Sequence, residues 1–393
     1  MEIAYIYFLL EGTSAGVLAK PAQQAKALEQ LHTSNFDIIV ISTIRNESQK
    51  HLKYIRIPSI KENPLYIFYY LFGKYFLIDK LADLKKYDYL IIRSPGPDPS
   101  IFSFLKKYNV VFEFHSKVIQ EVRMKLKDNV SYIRKCVRLI NLFFLTKYLF
   151  KSLRFAKGLL VNSGELRSYF IKNSYKKIPS KMVSNGVDVE NISITGFKRF
   201  DGNNLNLAIV ASRADQWHGI NRLLNSARHY LLKKNNIVIN IHLIGGISRK
   251  DIYDENIENI NIFFHGLRFG NELDEIISGM NLAVCPLALY KKYLDETSAI
   301  KVAEYFARGI PFIIGYKDSG IRYSDFNENN KCFLEFPNDD SIIDFSEIID
   351  FAKLVSSKRK NVIRGMRSYA KKYFDWNVKI KEYMQFISQL EKQ

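Results

Sequence analysis

Glu296-Thr-Ser-Ala-Ile-Lys301-Val-Ala-Glu304-Tyr-Phe-Ala-Arg-Gly309-Ile-Pro311 sets two carboxylates, a lysine and a helix start within one short segment. Thr297 and Ser298 are good N-cap residues, Ala299 to Arg308 reads as helix, Gly309 fits the position just past its end, and Pro311 prevents continuation. The run from Pro311 to Gly315 then reads as a buried strand, so a helix feeds a strand, with the carboxylates at the helix entrance. The first turn of such a helix offers unpaired N–H groups and about half a positive charge, a ready seat for phosphate. Lys301 lies near that same positive end, where a cation is disfavoured by roughly 0.3–1 kcal/mol until an anion answers it. The Glu-x7-Glu spacing alone says little, since Glu113 and Glu121 make another such pair. The helix-then-strand context carries the reading.

Outward from this segment the same rhythm repeats. Ile3 to Leu9, Ile38 to Ile41, Tyr89 to Ile92, Val110 to Phe114, Leu159 to Val161 and Lys181 to Val183 read as strands separated by helix-like stretches. Asp188 to Asn206, with Gly196, Gly202 and adjacent asparagines, reads as a linker. Strands then resume at Leu207 to Val210, Ile239 to Ile244, Ile262 to Phe264, Leu282 to Cys285 and Phe312 to Ile314. The expected organisation is a Rossmann-like α/β domain over 1–190, a second over 191–375, and a closing amphipathic helix over 376–393. A chain of 393 residues is long for one core and suits two.

The composition, 47% apolar and 25% charged, is that of a globular protein. Cys136, Cys285 and Cys332 form no CxxC pair and no zinc-like cluster, so neither a disulfide framework nor a structural metal is expected, and a reducing cytoplasm fits. The start reads as a first strand rather than a targeting peptide. The apolar stretches Leu65 to Ile78 and Leu139 to Phe150 are too short to span a membrane and are broken by Lys74 and Lys147. The net charge of +18 is concentrated: residues 101 to 181 hold 18 Lys/Arg against 4 Asp/Glu, a surplus of 14. Such a patch implies an anionic partner, whether nucleic acid, an acidic membrane surface or a phosphorylated substrate. Lys147, Lys151 and Arg154 within it follow i, i+4, i+7 spacing, a basic stripe beside Phe143, Phe144, Leu149 and Phe150.

In open α/β sheets ligands bind where strands end and loops enter helices. Gly12-Thr-Ser-Ala-Gly16 follows the first strand, His115 and Ser116 follow Phe114, Arg213 to Gly219 follows Val210, and Gly245-Gly246 follows Ile244.

Taken together, Val161-Asn-Ser163, Ser184-Asn-Gly186-Val-Asp188, Arg213 to Leu224, His242-Leu-Ile-Gly245, Phe264-His-Gly266 and Glu296 to Pro311 resemble, in order and spacing, the retaining glycosyltransferases of family 4, particularly bacterial capsule or exopolysaccharide enzymes. The resemblance implies the GT-B fold, two Rossmann-like α/β domains facing each other across a cleft, with the last helix packing back on the first domain. It implies that the second domain binds a nucleoside diphosphate sugar, with Glu304 on the ribose, Glu296 near the sugar, and Arg213, Lys301, Thr297, Ser298 and Gly245 around the diphosphate. The family's Gly-Arg-x4-Lys-Gly segment matches Arg213, but His218 stands in place of its lysine, and Glu296 lacks the Phe-Gly that usually follows. His115 matches a histidine near the reacting centre, and Gly16 a glycine-rich loop without its second glycine.

The expected activity is retaining, metal-independent transfer of a sugar to a saccharide or lipid-linked saccharide acceptor in surface polysaccharide synthesis, with His115, Arg213, Lys301 and Glu296 as catalytic residues. The expected location is cytoplasmic, peripheral on the inner face of an anionic membrane through Lys147, Lys151 and Arg154. No cofactor beyond the nucleotide-sugar substrate is expected. A nucleotide-sugar epimerase of the same fold is the enzymatic rival. A basic nucleic-acid-binding protein is the rival from another class, disfavoured because the sequence shows no helix-turn-helix, zinc finger or RNP-type segment.

Overall fold

A computed structural model describes residues 1–9, 15–43, 50–59, 62, 71–94, 96, 98–126, 131–233, 236–252 and 258–392. The chain divides into two compact units, Met1–Ser184 with Trp376–Gln393, and Asn185–Asp375. The first holds β1 (Ile3–Leu9), β2 (Phe36–Ser42), β3 (Leu52–Arg56), β4 (Tyr89–Arg93), β5 (Val110–Phe114), β6 (Gly158–Val161) and β7 (Ser180–Met182). They form one parallel sheet in the order β3-β2-β1-β4-β5-β6-β7. The inner strands are runs of β-branched and aromatic residues buried on both faces, as parallel strands between helices require. Helices α1 (Ala15–Gln30), α2 (Lys74–Leu81), α3 (Ile101–Lys107), α4 (Val118–Lys125), α5 (Tyr132–Leu153) and α6 (Gly164–Ser174) connect them.

The second unit repeats the scheme. β8 (Asn204–Ala211), β9 (Val238–Gly245), β10 (Ile260–Gly266), β11 (Leu282–Val284), β13 (Phe312–Ile314) and β15 (Phe333–Glu335) form a parallel sheet in the order β10-β9-β8-β11-β13-β15, while β12 (Glu296–Thr297) pairs with β14 (Lys317–Asp318) apart from it. Its helices are α7 (Ile220–Leu231), α8 (Gly270–Ser278), α9 (Ile300–Arg308), α10 (Phe345–Ser357) and α11 (Arg359–Tyr373). The chain then returns to the first unit as α12 (Trp376–Glu391). In each sheet the strand order reverses once, at β1/β4 and at β8/β11, which opens a crevice at the carboxyl ends of those strands.

α12 closes the first unit's core. Trp376, Ile380, Tyr383, Ile387 and Leu390 join Tyr5, Leu28, Phe36 and Ile91 in one buried cluster. The Trp376 indole N–H donates to Gln23 Oε1 at 3.0 Å, and Lys20 Nζ lies 5.1 Å from its ring centroid.

The structure departs from the sequence expectation in three places. β3 and β15 were not expected, because edge strands carry mixed polar residues rather than the apolar runs of inner ones. The stretch 188–206 is not a linker but part of the second unit: Val189 and Phe197 are buried, Gly196 N donates to Arg308 O, and Lys198 N donates to Met280 O. Its polar residues serve turns instead, with Asp201 accepting from the backbone of Asn203 and Asn204. The units therefore divide after Ser184, short of the expected 190.

Replacing Trp376 with alanine removes a large, 1% exposed side chain from this cluster. Urea denaturation of the full chain should show the first unit destabilised by about 3–5 kcal/mol; an unshifted transition would mean the core closes without it.

Candidate active site

After β8 the chain runs through Ser212-Arg213-Ala214-Asp215, a single 3-10 turn at Gln216–His218, and Gly219 into α7. Gly219 has φ +69°, and a Cβ there would sit 2.8 Å from Leu287 Cβ, so only glycine lets the loop lie this close to the segment after β11. Backbone bonds then lock the two: Leu287 N donates to His218 O and Ala288 N to Trp217 O, each at 3.2 Å. Gly245, at the end of β9, has φ +130°, and a Cβ there would fall 1.7 Å from Ala211 O. Its bare backbone lets the ends of β8 and β9 meet.

This strap carries His218 against Lys301 in the first turn of α9. Lys301 Nζ lies 3.5 Å from His218 Nδ1. Burial drives the His218 imidazole well below its usual range, with the Lys301, Lys292 and Arg213 charges adding to it, so His218 is neutral. Burial also pushes Lys301 down to about 8, opposed by Cys285, Glu304 and Asp215. Of these, Cys285 is a fully buried thiol raised far above its usual range and hence uncharged. The Glu304 carboxyl is itself raised by burial, with Arg308 and Lys301 drawing it back down. Arg308 is buried and paired with Asp274, while Arg213 is exposed, 3.5 Å from Asp215. The result is a half-buried ammonium bonded to a neutral ring at a helix N-terminus, an arrangement that an anion completes.

The helix entrance differs from expectation. Thr297 and Ser298 are not N-caps: the N-cap is Ala299, without a side-chain bond. Glu296 and Thr297 lie instead in β12 against β14. Ser298 is buried and held by Asn185, whose N–H donates to its hydroxyl at 2.9 Å and whose Nδ2 donates to its carbonyl at 2.5 Å. A residue the sequence reading missed takes over. Asp318, fully buried in β14, accepts from Ala299 N at 2.9 Å and Gly320 N at 2.8 Å, and burial pushes its carboxyl up to about 7, with Glu296 adding to the rise. In sequence, Asp318-Ser-Gly320 reads only as a turn. A pocket of about 250 Å³ lies beside the loop after β8, lined in part by Asp215, Gly219, Asn221, Asp251 and Lys291.

Arg213, His218, Gly245, Glu296, Thr297, Ser298, Lys301 and Glu304 thus all belong to the second unit, at or near the carboxyl ends of β8, β9 and β11. His115 and Gly16 belong to the first. Gly16 lies in the first turn of α1, and residues 12–14 of its expected loop lie outside the described residues. His115 follows β5, with Nε2 3.1 Å from Oε1 of the buried Glu113. A second pocket, of about 360 Å³, opens at the ends of β1 and β4, lined in part by Phe8, Lys74, Ser94, Asp98, Glu121 and Phe144. Ser94 adopts φ +46°, a strained value that such sites often hold. Lys147, Lys151 and Arg154 are exposed along α5 and its end. Among the described residues no group of three or more His, Cys, Asp or Glu is placed to hold a metal ion.

No protein-family model matches the chain, and no curated protein matches its sequence. Solved structures do match along its whole length. A glycosyltransferase from Rickettsia africae is 16% identical with a TM-score of 0.64, over 100% of this chain and 99% of that one. The trehalose-6-phosphate synthase OtsA is 12% identical with a TM-score of 0.67, over 100% and 99%. HepE from Anabaena, solved with UDP-glucose, is 13% identical with a TM-score of 0.60, over 100% of both chains. At these identities the likeness establishes the fold: the chain has the α/β GT-B fold.

The sign of the Lys301 shift gives a test. Below about pH 8 the ammonium is charged, and an anion bound beside it favours that form and raises its pKa. NMR of ¹³C-labelled lysine should show a resonance titrating near pH 8 that is missing from Lys301→Met and moves to higher pH with pyrophosphate. A Lys301 resonance that pyrophosphate leaves in place would remove it from an anion site.

Proposed function

We propose that the chain transfers a glycosyl group, with retention of anomeric configuration, from a nucleoside diphosphate sugar bound on the second unit to a hydroxyl of a saccharide or lipid-linked saccharide in surface polysaccharide synthesis. The observation that carries this reading is Lys301: a half-buried ammonium in the first turn of α9, bonded to a neutral imidazole and adjoining the Arg213 loop at the order reversal of the sheet. The likeness to solved glycosyltransferases supports it.

When the diphosphate departs it gains negative charge. Lys301, Arg213 and the N–H groups opening α9 stabilise that charge as it develops, which is the step where such groups accelerate a reaction. His218 serves as a hydrogen-bonding partner, not a cation, so the second positive charge falls to Lys301. Glu304, one turn further along α9, takes the ribose hydroxyls, and Glu296, Thr297 and Gly245 line the sugar and diphosphate. The acceptor hydroxyl attacks on the face the diphosphate leaves and yields its proton to a phosphate oxygen, so no enzyme nucleophile is required. The charge on these residues does what a metal ion would otherwise do. His115 acts on the acceptor side in the first unit.

The first unit also offers a membrane face. Leu139 and Phe143 on α5, and Phe72 and Phe76 on and just before α2, are exposed large apolar side chains, and Phe72 meets Phe144 edge-on at 5.4 Å. Lys147 lies over the Phe143 ring at 5.4 Å. Lysines beside exposed rings suit an anionic leaflet, where each Lys or Arg contributes about 1 kcal/mol and the rings reach the headgroup boundary. No helix among the described residues is long and apolar enough to cross a membrane, so contact through this face would be peripheral.

Glu304→Ala should raise the donor KM with less effect on kcat, whereas Arg213→Ala and Lys301→Ala should lower kcat roughly 100- to 1000-fold, since their charge matters most in the transition state. Steady-state kinetics with the nucleotide-sugar found by thermal-shift screening checks this, with NMR of the product anomer and an EDTA control. An inverted anomer or metal dependence would overturn the mechanism.

Replacing Lys147, Lys151 and Arg154 with glutamate should release the protein from anionic vesicles in co-sedimentation at physiological salt while donor binding persists. Wild-type protein remaining in the supernatant would refute membrane docking.

A further inference from the structure

The face of the first sheet covered by α1 and α12 is apolar except for one row at its carboxyl end. Arg93 on β4 and Glu113 on β5 are in register there, Tyr7 on β1 extends the row, and Leu160 on β6 closes it. From α1 come Lys20 and Gln24, both buried, and the Tyr7 hydroxyl donates to Gln24 Oε1 at 2.6 Å. From α12 comes Tyr383, 1% exposed, whose hydroxyl donates to Glu113 Oε1 at 2.7 Å. His115, two residues beyond Glu113, brings Nε2 to 3.1 Å from that same oxygen. One carboxyl oxygen thus receives a phenol from the carboxyl-terminal helix and faces an imidazole at the strand end.

A carboxyl group in this place contributes nothing to packing that an apolar residue would not, and burying it charged is costly. Its position beside His115 is what distinguishes it. We propose that Glu113 and Tyr383 are positioning residues for His115, through which α12 sets the charge that faces that imidazole. The use of the imidazole in catalysis rests on the glycosyltransferase reading; the Tyr383–Glu113–His115 coupling stands on the geometry alone.

Burial pushes Glu113 up to about 8, with the Tyr383 hydrogen bond drawing it back, so near neutral pH the carboxyl holds a proton. The other groups that face it do not displace this. Arg93 from β4 sits over Tyr7, Lys20 from α1 is driven well below its usual range by burial and by Arg93, and Tyr7 and Tyr383 are both raised by burial. When the carboxyl gives up that proton to solvent, a carboxylate is left beside Nε2, and the Tyr383 hydroxyl stabilises it. The charge that the imidazole meets is thereby tied to a residue of α12.

NMR of ¹⁵N-labelled histidine in the full chain tests this, with His115 assigned through His115→Gln. In wild type the His115 signals should show an inflection near pH 8 from Glu113. Glu113→Gln has no acid proton to lose, so the inflection near pH 8 should vanish from the His115 signals. Tyr383→Phe removes the hydrogen bond that favours the carboxylate, so the same inflection should move to higher pH. In the transferase assay the pH profile of kcat should move with that inflection while the donor KM stays put. An inflection near pH 8 that does not move in Tyr383→Phe, or a wild-type His115 titration without it, overturns the proposal even if Glu113→Gln fails to fold. Absence of transfer by wild type with every nucleotide-sugar would instead overturn the glycosyltransferase reading and leave the NMR result to stand.

Discussion

The second unit's site depends on a strap of backbone hydrogen bonds. Leu287 and Ala288 donate to His218 and Trp217 across the point where the strand order reverses, at a separation that Gly219 alone permits. Without this close approach the loop after β8 would stand away from the loop after β11, and neither His218 nor the Arg213 segment would meet α9. The parallel sheet makes the crevice, but the strap decides its width. Gly315 N, donating to Pro286 O at 3.0 Å, ties the end of β13 to the same segment, so three strand ends are held to one short stretch of chain.

Charge placement follows from that geometry. A lysine in the first turn of a helix opposes the helix dipole, and half-burial adds a desolvation cost. The fold nonetheless surrounds Lys301 with a neutral imidazole, a neutral thiol and a carboxyl that burial has made less acidic. Natural proteins keep such locally unfavourable arrangements where a ligand offsets them. Asp318 sits on the other side of the helix entrance, where its carboxyl satisfies backbone N–H groups that Thr297 and Ser298 leave alone.

Much of this was legible in the sequence. Inner strands announce themselves because both faces are buried, so β1, β2, β5, β8 and β9 read as apolar runs, whereas β3 and β15 at sheet edges do not. That Arg213 and His218 follow a strand, and that Lys301 and Glu304 lie on one helix, was readable as well. Asp318, Glu113 and Tyr383 were not, since a carboxylate's burial and its distant partners are set by packing. Tyr383 lies 270 residues from the carboxyl it bonds. The polar composition of 188–206 misled for the opposite reason: its side chains cap turns within a packed unit, which in one dimension looks like a tether.

The return of α12 to the first unit has a consequence for how the molecule is made. Domains generally fold as units while the chain emerges, the earlier before the later. Here the order is inverted for one of them. The first 184 residues lack Trp376, Ile380 and Tyr383, so the cluster built on Tyr5, Leu28 and Phe36 stays open until the whole second unit has been synthesised. The half of the molecule that is translated first is the half completed last, and during that interval its apolar sheet face is the surface a chaperone would have to cover.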